Sequence, residues 1–432
     1  MSFNLIRNAR MFFTTNVDVN TGVVKTTGFT AANTKEIQVL DGLSFSQATG
    51  SETVTINEAG DAPIRGQRSF NTSLEPVELS FSTYIRPFFQ EGSTSLTAFD
   101  PDDLIDAEED VLWNAFAAGY VNGVDENIAS AANARAYATP GTNPVTATGT
   151  AGFKAAWYQV KGGTSTGNAP YSVVEFVNSG KNQMVKFGVI ITVDASSYII
   201  DNCVLDQASI DFGLDAIATI AWTARGSTLR SVAITADKSS PVAFSGTYFT
   251  AGSNVAKAKV TTAPFLANKL SQITITSNIS GTAGTTYDLA LTGGNITFSN
   301  NVTYLTPANL ATVNKPFTYF TGTRAVSGSV NCYLRTGGTN RSAQLLADML
   351  TGSATDVEPD FQIELNIGGN STAATRVNLL LPACVLTIPA INTEQVVSST
   401  INFTAQGYSG SDFAIDQSNE AKITYFSAST TP

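Results

Sequence analysis

The chain has 432 residues, of which 43% are hydrophobic and only 14% charged, with a net charge of −11, no histidine and three cysteines. Without histidine the commonest general base and the commonest zinc ligand are missing, and without clustered Lys and Arg there is no groove that could release counterions from a nucleic acid. No run approaches the roughly 18 apolar residues that a membrane helix requires.

In chain order, the opening MSFNLIRNARMFFTTNVDV breaks its apolar patches with Asn, Arg and Thr, so it does not read as a secretory signal. The protein is expected to be made and kept on the cytoplasmic side. Residues 57–75, with Arg65 and Arg68, are polar and read as a loop between strands, long enough to be functional. Residues 77–86 alternate: Val77, Leu79, Phe81 and Ile85 fall on one face, and Glu78, Ser80, Ser82 and Arg86 on the other. Asp100-Pro101-Asp102-Asp103 opens a predicted helix over 100–118, with Ile105, Leu112 and Phe116 on its apolar side. Asp106, Glu108, Glu109 and Asp110 are read as the solvated face of that helix. They suggest no acid–base pair, so no catalytic residue is assigned.

Residues 120–169, rich in Ala, Gly, Thr and Asn, look like an insertion. Strands are predicted over 171–177, 183–193, 197–205 and 215–224. Residues 228–265 are the candidate linker, long enough to hold strands of its own, and it divides the chain into domains 1–228 and 229–432. Further strands follow at 273–277, 295–299, 326–334, 361–367, 376–388 and 396–405. A second helix is predicted over 341–350, with Leu345, Leu346, Met349 and Leu350 on its apolar side. Cys203, Cys332 and Cys384 have neither disulfide-framework nor metal spacing and are read as small buried side chains. No cofactor and no metal site is expected.

The chain writes one pattern twice. CVLDQASIDFGLDAIATIAWTARG begins at Cys203, and CVLTIPAINTEQVVSSTINFTAQG begins at Cys384. Aligned without gaps, Cys203, Val204, Leu205, Ile210, Thr219, Ile220, Thr223, Ala224 and Gly226 meet identical residues. The alternation keeps its phase, which a one-residue slip would reverse. Upstream, Ser80-x-Ser82 echoes Ser327-x-Ser329 ahead of each helix, and Gly42-Leu43-Ser44-Phe45-Ser46 echoes residues 294–299. These echoes predict a tandem duplication of a mainly β domain of sandwich or barrel type, each copy with one flanking helix. Fusing two subunits of a symmetric ring would halve its chains and keep its domains.

LIRNARMFFTT at 5–15, KEIQVLDGLSFSQ at 35–47 and TVTINEAGDAPIRGQRSFNTSLEPVELSFSTYIRP at 53–87 resemble the major tail tube protein of long-tailed siphophages of the coliphage T-five type. So do YIIDNCVLDQASID at 198–211, ATIAWTARG at 218–226 and LTGGNITFSNNVTYLTP at 291–307. The resemblance implies two tail-tube-type domains per chain, three chains per pseudo-hexameric ring, and rings stacked into a hollow tail. An extra C-terminal immunoglobulin-like module, where relatives carry one, is not expected. It further implies a virion protein assembled in the host cytoplasm. Its partners would be further copies of itself, the tape measure protein, and the tail terminator and distal tail proteins. Double-stranded DNA would pass through without tight binding, and no membrane is involved.

If each domain gave four strands to an inner barrel, about 24 strands would enclose a lumen of roughly 38 Å. Duplex DNA, judged from its groove depths, is about 20 Å across. Candidate lumen-facing residues are Glu78, Ser80, Ser82, Thr219 and Thr223 in the first copy. In the second they are Ser327, Ser329, Asn331, Thr400, Asn402 and Thr404. Arg65 and Arg68 are candidate inter-ring contacts. The alternatives are the inner tube protein of a contractile tail and a non-viral β-rich surface or adhesin-type binding protein. Triplets such as Asn278-Ile279-Ser280 suit the latter only as chance matches.

Overall fold

The structure, a computed structural model, describes residues 8–18, 20–30, 33–90, 104–117, 157–160, 171–176, 184–194, 196–214, 216–237, 242–246, 248–249, 253–255, 265–279, 281–310, 312–355, 360–369, 375–389, 391–392, 397–407 and 420–426. Strand alternation governs it. The first half contains β1 (Ala9–Thr14), β2 (Thr34–Ile37), β3 (Ser44–Glu58), β4 (Ile64–Tyr84), α1 (Asp110–Ala117), β5 (Tyr171–Glu175), β6 (Phe187–Val193), β7 (Ser196–Asp211), β8 (Thr219–Gly226) and β9 (Thr228–Val232). The second contains β10 (Gln272–Ser277), β11 (Thr286–Asp288), β12 (Ala290–Ser299), β13 (Val302–Leu305), β14 (Thr318–Thr321), β15 (Ala325–Tyr333), α2 (Ser342–Thr355), β16 (Asp360–Ile367), β17 (Arg376–Leu386), β18 (Ser398–Ala405) and β19 (Lys422–Phe426). None of the described helices is long and apolar enough to cross a membrane.

The halves pair alike. β3–β4, β4–β8, β8–β7, β7–β6, β6–β1 and β1–β2 are all antiparallel. They find counterparts in β12–β15, β15–β18, β18–β17, β17–β16, β16–β10 and β10–β11. A bulge precedes each cysteine at the same place, with Cys203 opposite Phe187 and Cys384 opposite Phe361. Such bulges bend a strand. Here the bend lets β7 run with β6 over its first half and with β12 over its last five residues.

The ungapped alignment fails in one respect. Ala224 lies opposite Leu205, but its counterpart Ala405 lies opposite Cys384 rather than Leu386. The second hairpin is therefore slid by two residues at this point and by three from Gln207 onward, where β7 carries a bulge that β17 lacks and the ungapped match reverses facing.

One apolar core spans both halves, from Met11 and Phe13 to Ile423 and Tyr425. α1 sits where they meet: the Trp113 ring lies 4.9 Å from Trp222 and 5.7 Å from Phe298. Trp113 Nε1 donates to Tyr425 Oη at 2.9 Å, and Tyr425 Oη donates to Glu109 Oε1 at 3.0 Å. β19 also pairs with β5, so the end of the second half is stitched to the first.

Several expectations need correction. The first helix begins at Asp110 rather than at 100, and Leu104–Asp106 is a short strand paired with Phe88–Gln90. Its acids are not a solvated face: Glu108, Glu109 and Asp110 are all buried. Lys35 Nζ bonds Asp110 Oδ1 at 2.8 Å, and the Tyr425 contact holds Glu109. Residues 57–75 are not a loop, because β3 and β4 stay paired out to Glu58 and Ile64. The candidate linker at 228–265 does hold strands of its own. β9 extends the ladder along β7, and Ile234–Ala236, Val242–Gly246 and Ser253–Val255 form a small sheet. That sheet packs Phe244 against Phe12 and Phe29. The second helix falls where expected, with Leu345 and Met349 buried and Leu350 exposed. All three cysteines are buried and free, as read. Within the insertion at 120–169 only Trp157–Val160 belongs to the described residues, as a strand beside β5.

Burial pushes the Glu109 carboxyl up from 4.5 to about 8, with Glu108 and Asp110 adding in the same direction. It is protonated in the fold at neutral pH, whereas the unfolded chain ionises near 4.5. Its contribution to stability is whole below that value and declines as pH rises toward 8. Glu109→Gln is accordingly expected to raise the melting temperature much more at pH 9 than at pH 5.5. Equal gains at both pH values in thermal unfolding would contradict the assignment.

Candidate functional site

β7 is the hinge of the site. Its residues Gln207, Ala208, Ser209, Ile210 and Asp211 lie opposite Ser299, Phe298, Thr297, Ile296 and Asn295 of β12. Phe212 and Gly294 exchange both backbone hydrogen bonds just beyond, at 3.0 and 3.2 Å. This junction merges the strands of the two halves into one antiparallel sheet. Its order is β3-β4-β8-β7-β12-β15-β18-β17.

One face of this sheet is core. Leu79, Phe81, Trp222, Ala208, Ile210, Ile296, Phe298, Val326, Ile401 and Phe403 are all buried. The opposite face is polar and mostly uncharged. One row of directly opposed residues crosses seven strands as Ser82, Ala221, Ser209, Thr297, Ser327, Thr404 and Val385. Ser209 and Thr297 hydroxyls are bonded at 3.1 Å, Ser329 Oγ donates to Asn295 Oδ1 at 2.8 Å, and Thr400 Oγ1 donates to Asn331 Oδ1 at 2.8 Å. Such cross-strand pairs hold small polar side chains flat along the sheet. Charge is sparse: Arg225 meets Asp206 at 3.2 Å and lies opposite Glu78, and Asp211 is exposed on the same face.

Glu78, Ser80, Ser82, Thr219, Thr223, Ser327, Ser329, Asn331, Thr400, Asn402 and Thr404 all project from this polar face, as the alternation of burial along β4, β8, β15 and β18 shows. Sequence reasoning missed its middle. Ser209, Thr297 and Asn295 lie in β7 and β12, whose polar positions alternate just as clearly, but the reading did not pair these strands. Among the described residues no group of three or more His, Cys, Asp or Glu could hold a metal ion.

Beyond the sheet, β3 and β4 continue as a two-stranded arm. Glu52, Val54, Ile56, Glu58, Ile64, Arg68 and Phe70 share one face, while Thr53, Thr55, Arg65, Gln67 and Ser69 share the other. Arg65 and Arg68 therefore point to opposite sides. Arg68 lies 5.5 Å from the Phe70 ring centroid. Val54, Ile64 and Phe70 are exposed. At its root the arm bonds the β13–β14 connection, with Leu74 N donating to Asn314 O at 2.8 Å and Asn314 N to Thr72 O at 3.0 Å. That connection carries Leu310 at 98% and Phe317 at 66% exposure.

The described residues thus define a mostly β protein with large antiparallel sheets, an architecture that fits the β-rich fold of phage tail tubes. No protein-family model matches the chain. Among known proteins it is similar to the tail tube protein pb6 of Escherichia phage T5, 28% identical over 414 residues. The match covers 94% of this chain and 73% of that protein. The resemblance read from the sequence is borne out, and the similarity supports a structural protein of a phage tail tube.

Gly328 shows how closely the sheet is built. A Cβ there would stand 2.2 Å from Asn295 O and 2.6 Å from Phe403 Cζ. Gly328→Ala is expected to cost about 1–3 kcal/mol in chemical denaturation. An unchanged midpoint would contradict the packing described.

Proposed function

We propose that the chain arose by tandem duplication, with domains 1–228 and 229–432, and that it polymerises as trimeric, pseudo-hexameric rings stacked into a hollow tail tube. The polar face of the eight-stranded sheet is then the tube's inner wall. The observation that carries this reading is the sheet itself: four strands from each half, joined edge to edge, with one apolar and one nearly uncharged face. The matching pairings of the two halves support the duplication.

Three copies supply about 24 strands and a lumen of roughly 38 Å, wide enough for a duplex of about 20 Å. Small hydroxyls and amides form no phosphate ion pairs and release no counterions, so DNA slides rather than sticks. On this reading the lumen encloses the tape measure protein and then conducts DNA during ejection. The tube ends meet the tail terminator and distal tail proteins. Rings contact one another through the arm, with the face that carries Val54, Ile64, Phe70 and Arg68 as the main surface and Arg65 turned away from it.

Electron microscopy of the concentrated protein tests this. Threefold, pseudo-sixfold rings or hollow filaments are expected, and discrete particles or filaments without a lumen would contradict the reading. Replacing both Ile64 and Phe70 by Asp is expected to leave rings but abolish long tubes. Tubes of unchanged length would remove the arm from the inter-ring contact.

A further inference from the structure

The sheet has two free edges. One is β3 near Leu43 and Phe45, and the other is the end of β17. Thr387 N donates to Asn402 O at 2.8 Å, which turns its hydrogen bonds toward β18. Antiparallel strands alternate these directions, so Leu386 and Ile388 present their N–H and C=O groups to the opposite side. β16 leaves β17 at Val385. Among the described residues no strand pairs with that side beyond it. An unpaired edge of this kind is a template for another strand.

The molecule already contains the joint that these edges would make. β12 is the counterpart of β3, since Thr297 opposite Ser327 matches Ser44 opposite Ser80. β17 is the counterpart of β7, since Leu386 opposite Phe403 matches Ala208 opposite Trp222. The β7–β12 junction therefore prescribes how β17 meets β3. We propose that, in the ring inferred above, the end of β17 of one copy pairs antiparallel with β3 of the next. Leu386 lies opposite Phe45, Thr387 opposite Ser44, and Ile388 opposite Leu43.

The facing agrees. Leu386 and Leu43 are buried, Phe45 is half-buried, and Ile388 is 44% exposed in the isolated chain. The register sets these apolar side chains together on the core face, as Ile210 and Ile296 are set within the chain. Ser44, Ser46, Val385 and Thr387 are exposed and extend the polar face across the seam. Pro389 lacks an N–H, but by the same alternation its nitrogen points toward β18 and leaves the seam intact. The ungapped sequence alignment prescribes a different seam. It equates Gln207 with Ile388 and would place Ile388 opposite Ser46, an apolar residue against a polar one.

Cysteine pairs in the full chain decide between the registers. Thr387 and Ser44 form a non-hydrogen-bonded pair, with Cα atoms about 4.5 Å apart, a separation that a disulfide tolerates. Ser44→Cys with Thr387→Cys, assembled and mildly oxidised, is expected to run as covalent dimers and trimers on a non-reducing gel and to revert on reduction. Leu43→Cys with Ile388→Cys, a second pair that this register opposes beyond the end of β16, is expected to do the same. Ser46→Cys with Ile388→Cys is expected to stay monomeric. If rings form but only the last pair cross-links, or none does, the register is wrong while the ring stands. If the unmodified chain forms no rings, the ring reading and the seam fall together.

Discussion

Five opposed residue pairs between β7 and β12 decide what kind of object the chain is. Without them each half would end in unpaired strand edges. With them, backbone hydrogen bonds run unbroken from β3 to β17, and the two cores become one. Ile210 and Ile296 face inward there, and Ser209 and Thr297 face outward, so the junction keeps the polarity of the strands on either side. α1 depends on the same joint. Trp113 reaches Trp222 of the first half and Phe298 of the second, and it donates to Tyr425 near the end of the chain.

A continuous sheet with one dry face must put its other face somewhere wet. The character of that face matters more than any single residue on it. Three cross-strand pairs of its small hydroxyls and amides are bonded to one another, and Arg225 is paired with Asp206 among its few charges. Such a wall is hydrated but offers no site at which a polyanion would exchange its counterions. The arm is built differently: one of its faces exposes Val54, Ile64 and Phe70 among Glu52, Glu58 and Arg68.

The legible part of this structure was whatever has period two. Burial alternates along β4, β15 and β18 as their sequences alternate, so the polar face could be read before its strands were assembled. The same periodicity hid the slide in the second hairpin. At Ala405 the shift is two residues, which changes the partner and not the facing, so Leu386 and Cys384 could not be told apart there; the extra residue of the β7 bulge beyond it leaves no mark in the alternation. Long-range pairing hid the rest. Glu108, Glu109 and Asp110 look like a solvated acidic turn until Tyr425 and Lys35 are brought to them. Residues 57–75 look like a loop because the arm they form is exposed on both sides and hardly alternates in burial. Residues 228–265 look like a linker because Phe244 and Phe249 find their apolar partners in β1 and its neighbours.

The most direct measurement is a near-atomic electron cryomicroscopy reconstruction of the assembled wall. The account requires an unbroken ring of strands whose Ser209, Thr297 and Ser327 side chains point into an open central channel, with the two halves of each chain in equivalent places around it. A map in which that face is turned outward, or in which the halves occupy unrelated positions, would contradict it.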